Sequence, residues 1–195
     1  MPAYVIWGFL AYSFVNAFTP GPGNILALNT VTNYGWKHGR PLFFGIFTGY
    51  YAVQLICALF VYGIGALLPH ALGVMKYLGA AYILYLAIHI ALSHPTESGG
   101  EQSASFWKGF LLQFVNAKIY LFGITALTGY VTDYFTELPA LVGFELAIAS
   151  IGTLATSCWI AAGIAIQRIY LRQYRVINIV LALTLLECVY GMLSS

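Results

Sequence analysis

Apolar stretches long enough to cross a bilayer follow one another down this chain, with only short polar breaks between them. A hydrocarbon core about 30 Å thick takes about 20 helical residues to span. Reading between the breaks gives six such stretches, near residues 4–28, 42–67, 72–92, 107–127, 141–165 and 176–192. They are continuous rather than alternating, so they predict helices and not the ~10-residue strands of a transmembrane barrel. Composition agrees: 61% of the 195 residues are hydrophobic and 7% are charged, against about 25% charged in a soluble domain. Too few charges are present to cover a water-soluble surface, which excludes a soluble enzyme and a disordered chain. The net charge of +2 is too small for an electrostatic footprint on nucleic acid, so no nucleic-acid partner is expected. The expectation is an all-α integral membrane protein, one transmembrane domain over residues 1–195, with the lipid bilayer as its surroundings.

The three cysteines, Cys57, Cys158 and Cys188, all sit in apolar runs. They read as small packing residues without a disulfide framework. His38, His70, His89 and His94 form no metal-ligating pattern, and no metal, cofactor or catalytic centre is expected. The first twenty residues lack a basic n-region and a small-residue cleavage site, so no removable signal peptide is expected.

Charge sits in the connections. Lys37 and Arg40 lie between stretches one and two, Lys108 just before stretch four, and Arg168, Arg172 and Arg175 between five and six. These six basic residues fall on one side of the membrane. The other side has Lys76 beside Asp133 and Glu137, and Lys118 falls inside stretch four. The positive-inside rule turns the six-residue side to the cytoplasm, with Trp36, Trp107, Tyr170 and Tyr174 in its aromatic belt and both termini outside.

Residues 93–106, rich in Pro, Gly and Ser and holding Glu97 and Glu101, read as a joint between halves at about 1–95 and 101–195. At an offset of 100, Trp7 meets Trp107 and Phe14-Val15-Asn16-Ala17 meets Phe114-Val115-Asn116-Ala117. Halves with three spans each must have opposite orientations. The expected architecture is therefore six transmembrane helices as two inverted three-helix repeats, which many secondary transporters share.

Within stretch one, Thr19-Pro20-Gly21-Pro22-Gly23-Asn24 should break the helix, because two prolines remove donors and clash with the preceding turn. Interrupted backbone at membrane depth is tolerated where protein or a cavity satisfies it. A half-helix starting near Pro22 would aim its free N–H groups and positive dipole end at the midplane, suited to a carboxylate. Lys118 lies about eleven residues into stretch four, or ~16 Å along a helix. A lysine there costs roughly 2.5–3.5 kcal/mol on insertion scales, so it should face the bundle interior or a cavity. It could attract a carboxylate or hold a partner acid. The candidate substrate site comprises Pro20, Gly21, Pro22, Gly23, Asn24, Asn16, Asn116 and Lys118, with Glu187 as candidate coupling acid. Glu145 and Glu187 could each pair Lys118 or carry a coupling proton, and of the two Glu145 reads as a near-interface residue. Gln54, Gln113 and Asn178 read as interhelical hydrogen-bond partners, and Gly45-x-x-x-Gly49 as a small-residue packing face.

These residues resemble the LysE/RhtB family of amino-acid exporters. Thr19-Pro20-Gly21-Pro22 is similar to the family's T-P-G-P signature. Gly35…Gly39-Arg40, Gly79-Ala-Ala-Tyr82 and Trp107…Asn116-Ala117-Lys118 fit as well. The run 113–119, Thr125-Ala-Leu127 and Asn178-Ile-Val-Leu-Ala-Leu183 are closest to the cysteine/O-acetylserine exporter branch. The family has N-P-K where this chain has Asn116-Ala117-Lys118, so the proline that would break stretch four is missing. The resemblance implies a multi-pass exporter of the bacterial inner membrane, exchanging with protons or using the membrane potential, and with the basic-loop count above both termini are then periplasmic. It implies cysteine or O-acetylserine as substrate, with a homoserine/threonine or basic amino-acid exporter as the alternative within the family. A homodimer is open to it. A lipid enzyme lacks the required His/Asp or paired-carboxylate cluster, and a non-transporting scaffold leaves the broken helix and the buried lysine without a purpose.

Overall fold

The computed structural model describes residues 1–63, 68–92 and 104–194, and all regular structure in them is helical. The elements are α1 (Ala3–Phe18), α2 (Pro22–Gly63), α3 (Leu68–Ala91), α4 (Phe106–Val115), α5 (Ala117–Ala126), a π-helical turn (Leu127–Val131) and α6 (Leu138–Ser194). The greater part of the expected joint, with His94, Glu97 and Glu101, lies outside the described residues.

By length and apolarity, Pro22–Gly63, Leu138–Ile166 and Arg168–Tyr190 can each cross a membrane. A fourth crossing exists if Phe106–Val115 and Ala117–Val131, which meet at 57°, count as one. That bend answers a point the sequence left open. The helix is interrupted even though Ala117 replaces proline, because Asn116 holds a non-helical φ of −86° and ψ of 87°. Asparagine is a poor helix former that readily takes such conformations.

Two connections are tighter than the sequence suggests. Residues 29–41 were expected to form a loop, yet the chain is helical on both sides of a single break at Gly35, with φ 71° and ψ 174°. That region is close to glycine-only. The chain folds back there: residues 30 and 39 would be about 13 Å apart along a straight helix, but a Cβ on Gly39 would lie 3.2 Å from Thr30 Cγ2. In α6 the helical angles fail at Gln173. Trp159 and Cys188, about 44 Å apart along a straight helix, both reach the carbonyls of residues 18–20. The chain therefore reverses between them.

Glycines set the closest helix crossing. A Cβ on Gly45 would strike the Phe106 carbonyl, one on Gly109 the Leu42 carbonyl, and one on Gly49 would lie 2.7 Å from the Phe110 carbonyl. Bare glycines thus let α2 and α4 touch backbone to backbone, the small-residue packing expected in a membrane bundle. The surface is apolar, and polar side chains share the largely apolar interior. Ser13, Asn24, Gln54, Gln113, Asn116, Glu145, Thr156 and Asn178 are buried, whereas Trp7, Phe44, Leu59, Trp107, Leu154 and Leu183 are exposed.

Two bonds gather the basic connections at one end. The Ala104 N–H donates to the His38 carbonyl at 3.0 Å, and the Tyr170 hydroxyl donates to Asn33 Oδ1 at 3.1 Å. Segments carrying Lys37, Arg40, Lys108 and Arg168–Arg175 therefore adjoin. Met1, Val61, Tyr130 and Phe135 pack into a separate apolar cluster with Phe9 and Leu141.

Candidate functional site

Between Phe18 and Pro22 the backbone leaves the helix. Thr19 is extended, at φ −62° and ψ 144°. Pro20 and Pro22 cannot donate. Pro22 occupies the first helical position, where a missing N–H costs nothing, and Ile25 N–H donates to the Gly21 carbonyl at 2.9 Å to open α2.

A helix end must find donors for its last carbonyls, and every carbonyl from Val15 to Pro20 has one. Thr19 N–H donates to Val15 at 3.1 Å, and Thr19 Oγ1 donates to Asn16 at 2.8 Å. Asn24 Nδ2 donates to Ala17 at 2.9 Å and to Thr19 at 3.3 Å. Trp159 Nε1 donates to Phe18 at 3.3 Å. Lys118 Nζ donates to the Thr19 carbonyl at 3.2 Å, to Thr19 Oγ1 at 2.8 Å and to the Pro20 carbonyl at 3.3 Å. Cys188 Sγ stands 3.8 Å from the same Pro20 oxygen. The three protons of the ammonium thus meet three neutral oxygens, and among the described residues no carboxylate neutralises its charge. Glu187 is exposed and makes no ion pair with Lys118.

The lysine can reach the break because Gly21 has no side chain: a Cβ there would lie 3.2 Å from Nζ and 3.3 Å from Cδ. Asn24 is fully engaged, since its Oδ1 accepts from Thr156 Oγ1 at 2.8 Å. It holds the two half-helices and α6 together.

Two chambers meet at this point. A cavity of about 340 Å³ is lined by Tyr12, Asn16, Pro20, Pro22, Ile83, Asn116, Lys118, Leu121, Phe122, Thr125 and Cys188. A narrow one of about 30 Å³ lies against Gly21, Gly23, Asn24, Tyr50, Gln113 and Thr156. Asn16, Asn116 and Lys118 line both. The expected site residues therefore come together: Pro20 and Pro22 on the larger chamber, Gly21, Gly23 and Asn24 on the smaller. Asn116 Oδ1 is buried with no hydrogen-bond partner, an acceptor at the chamber wall. Among the described residues, Lys118 is the one charged residue on either wall.

Glu145 departs from its expected place. It is fully buried rather than near an interface, and neither carboxylate oxygen has a hydrogen-bond partner. Sequence reading also missed Thr19 as a ligand of Lys118, and Trp159 and Cys188 as partners of the break. Thr19 is 99 residues from Lys118, and no local pattern links them.

The comparisons with known proteins bear on this geometry. The family of LysE type translocators matches residues 14–189. Proteins named cysteine/O-acetylserine efflux protein from Escherichia coli O139:H28, Shigella flexneri and Escherichia coli strain K12 are each 40% identical over 190 residues, covering 96% of this chain and 97% of theirs. No solved structure matches. With nearly the whole chain matched on both counts, this protein belongs to the LysE family of translocators.

Proposed function

We propose that the protein is a secondary transporter that exports a small neutral amino acid, cysteine or O-acetylserine, across the bacterial inner membrane. The names of its relatives support the substrate. The observation that carries the site is Lys118: a cation without a counter-charge among the described residues, lining both chambers, held by neutral oxygens that a carboxylate can displace. The substrate carboxylate takes the ammonium and the first-turn amides of α2 at Gly23 and Asn24, which a helix N-terminus leaves free. The ammonium takes Asn116 Oδ1, with Asn16 beside it. The side chain extends along Ile83, Leu121 and Phe122. The larger chamber is within the lower range of small-ligand pockets. Among the described residues neither wall offers a carboxylate for a second positive charge, which argues against a basic amino acid.

The same reading has six spans in two inverted halves: α1 with the first part of α2, the rest of α2, α3, α4 with α5 and the π-turn, and the two arms of α6. It is supported by Asn16 and Asn116, the repeat-related asparagines, which line the same two chambers, each beside an interrupted helix. The gathered basic end is cytoplasmic, and both termini are periplasmic.

The test compares wild type with Lys118→Met in cells that overproduce both amino acids, at matched membrane protein level. A charge-assisted hydrogen bond contributes about 1.5–3 kcal/mol, so excretion should fall at least about tenfold. Full excretion by a well-expressed Lys118→Met would remove the lysine from the site.

A further inference from the structure

We infer that Glu145, buried outside the substrate chambers, is the group that takes up and releases the coupling proton. The assignment rests on the transport reading above. Glu145 is fully buried, and both its oxygens lack a hydrogen-bond partner. Beside it, Gln54 is equally buried, and its amide nitrogen and oxygen also lack partners. The two side chains crowd a single point. A Cβ on Gly123 would lie 2.5 Å from Gln54 Oε1, 2.9 Å from Glu145 Oε1 and 3.1 Å from Glu145 Oε2. Gly123 thus keeps open a small polar compartment between α2, α5 and α6.

Among the described residues no cation shares that compartment. The titratable groups that face Glu145 are Tyr50 and Cys57, both on α2. Neither α1 nor the π-turn has a charged residue, and the one on α5, Lys118, is turned to Thr19 and Pro20. A buried carboxylate without a cation is costly and is relieved by taking up a proton. The neutral acid has an O–H to donate, and Gln54 Oε1 is the acceptor beside it. The exchange balances as a single proton movement. Facing the outer side, the carboxylate binds a proton and becomes the acid. Facing the cytoplasm, the O–H bond breaks, the proton leaves and the electron pair remains on Glu145.

A path to the substrate exists through Tyr50. It stands one helical turn before Gln54 on α2, hence on the same face, and it also lines the narrow chamber with Gln113, Asn116 and Lys118. Gly152 gives its ring room, since a Cβ there would lie 2.5 Å from it. A change of charge at Glu145 therefore reaches the substrate chamber through one side chain. Glu187, the acid favoured by the sequence, is exposed and lines neither chamber.

The experiment uses purified full-length protein in proteoliposomes with a pH dye trapped inside, and O-acetylserine as substrate. Two quantities are read: exchange of labelled for unlabelled substrate, and the proton movement that substrate evokes. Wild type should show both. Glu145→Gln, which imitates the neutral acid, should keep exchange and lose the proton movement. Glu145→Asp, a shorter carboxyl, should keep both with a displaced pH profile. Substrate-evoked proton movement in Glu145→Gln would overturn the assignment. Loss of exchange in Glu145→Gln, with no proton movement restored by Glu145→Asp, would also overturn it and make the residue structural. Absence of exchange in wild type for every amino acid tried would instead defeat the transport reading.

Discussion

Cys188 offers the most local report on the proposed substrate site. Its sulfur lies 3.8 Å from the Pro20 carbonyl on the wall of the larger chamber, while Cys57 is buried and Cys158 is exposed. With Cys158 replaced by Ser, a small maleimide should label Cys188, and O-acetylserine should slow that labelling while lysine does not. Labelling rates indifferent to every amino acid would move the substrate away from the break. Some of this site was legible residue by residue. The depth of Lys118 and the double proline follow from position in an apolar run. The partners of Lys118 do not, because they are distant in sequence and include backbone oxygens. Glu145 was misplaced for a simple reason. A stretch starting at 141 puts it one turn from the interface, whereas the helix starts at Leu138, which adds about 4.5 Å of depth, and its face turns inward to Gln54 and Gly123.

Among the elements, the α2–α4 crossing depends on the absence of side chains. Gly109→Ala would drive a Cβ into the Leu42 carbonyl and to 2.9 Å from the Ile46 nitrogen. Overpacking of that kind costs typically 1–3 kcal/mol. A Cβ on Gly143, in the exposed wall of α6, meets nothing within 4 Å, and Gly→Ala at such a helical position stabilises by about 0.4–1 kcal/mol. The two variants should therefore shift the thermal midpoint in detergent in opposite directions, Gly109→Ala downward. An unchanged midpoint in Gly109→Ala would mean that the crossing is looser than it stands here. Element ends were legible where proline marked them, as at Pro20–Pro22. The Asn116 interruption was not, since its determinant is one asparagine's backbone rather than a proline. Gly35 and Gln173 were hidden because a one-residue reversal between helices looks, in sequence, like the middle of a polar loop.

At the scale of the molecule, the basic segments around Lys37, Lys108 and Arg172 meet at one end through the Ala104–His38 and Tyr170–Asn33 bonds. If that end is cytoplasmic, a fluorescent protein that matures only in the cytoplasm should stay dark when fused after Ser195, and a periplasmic phosphatase fused there should be active. The opposite pair of results would invert the orientation. On the proposed function, a small neutral amino acid crosses through the chamber closed by Lys118. The most direct measurement is efflux from proteoliposomes containing the purified protein alone, loaded in turn with cysteine, O-acetylserine, threonine, homoserine and lysine. Cysteine and O-acetylserine should leave faster than from protein-free vesicles, and lysine should not. Efflux of lysine alone, or of none of the five, would contradict the account.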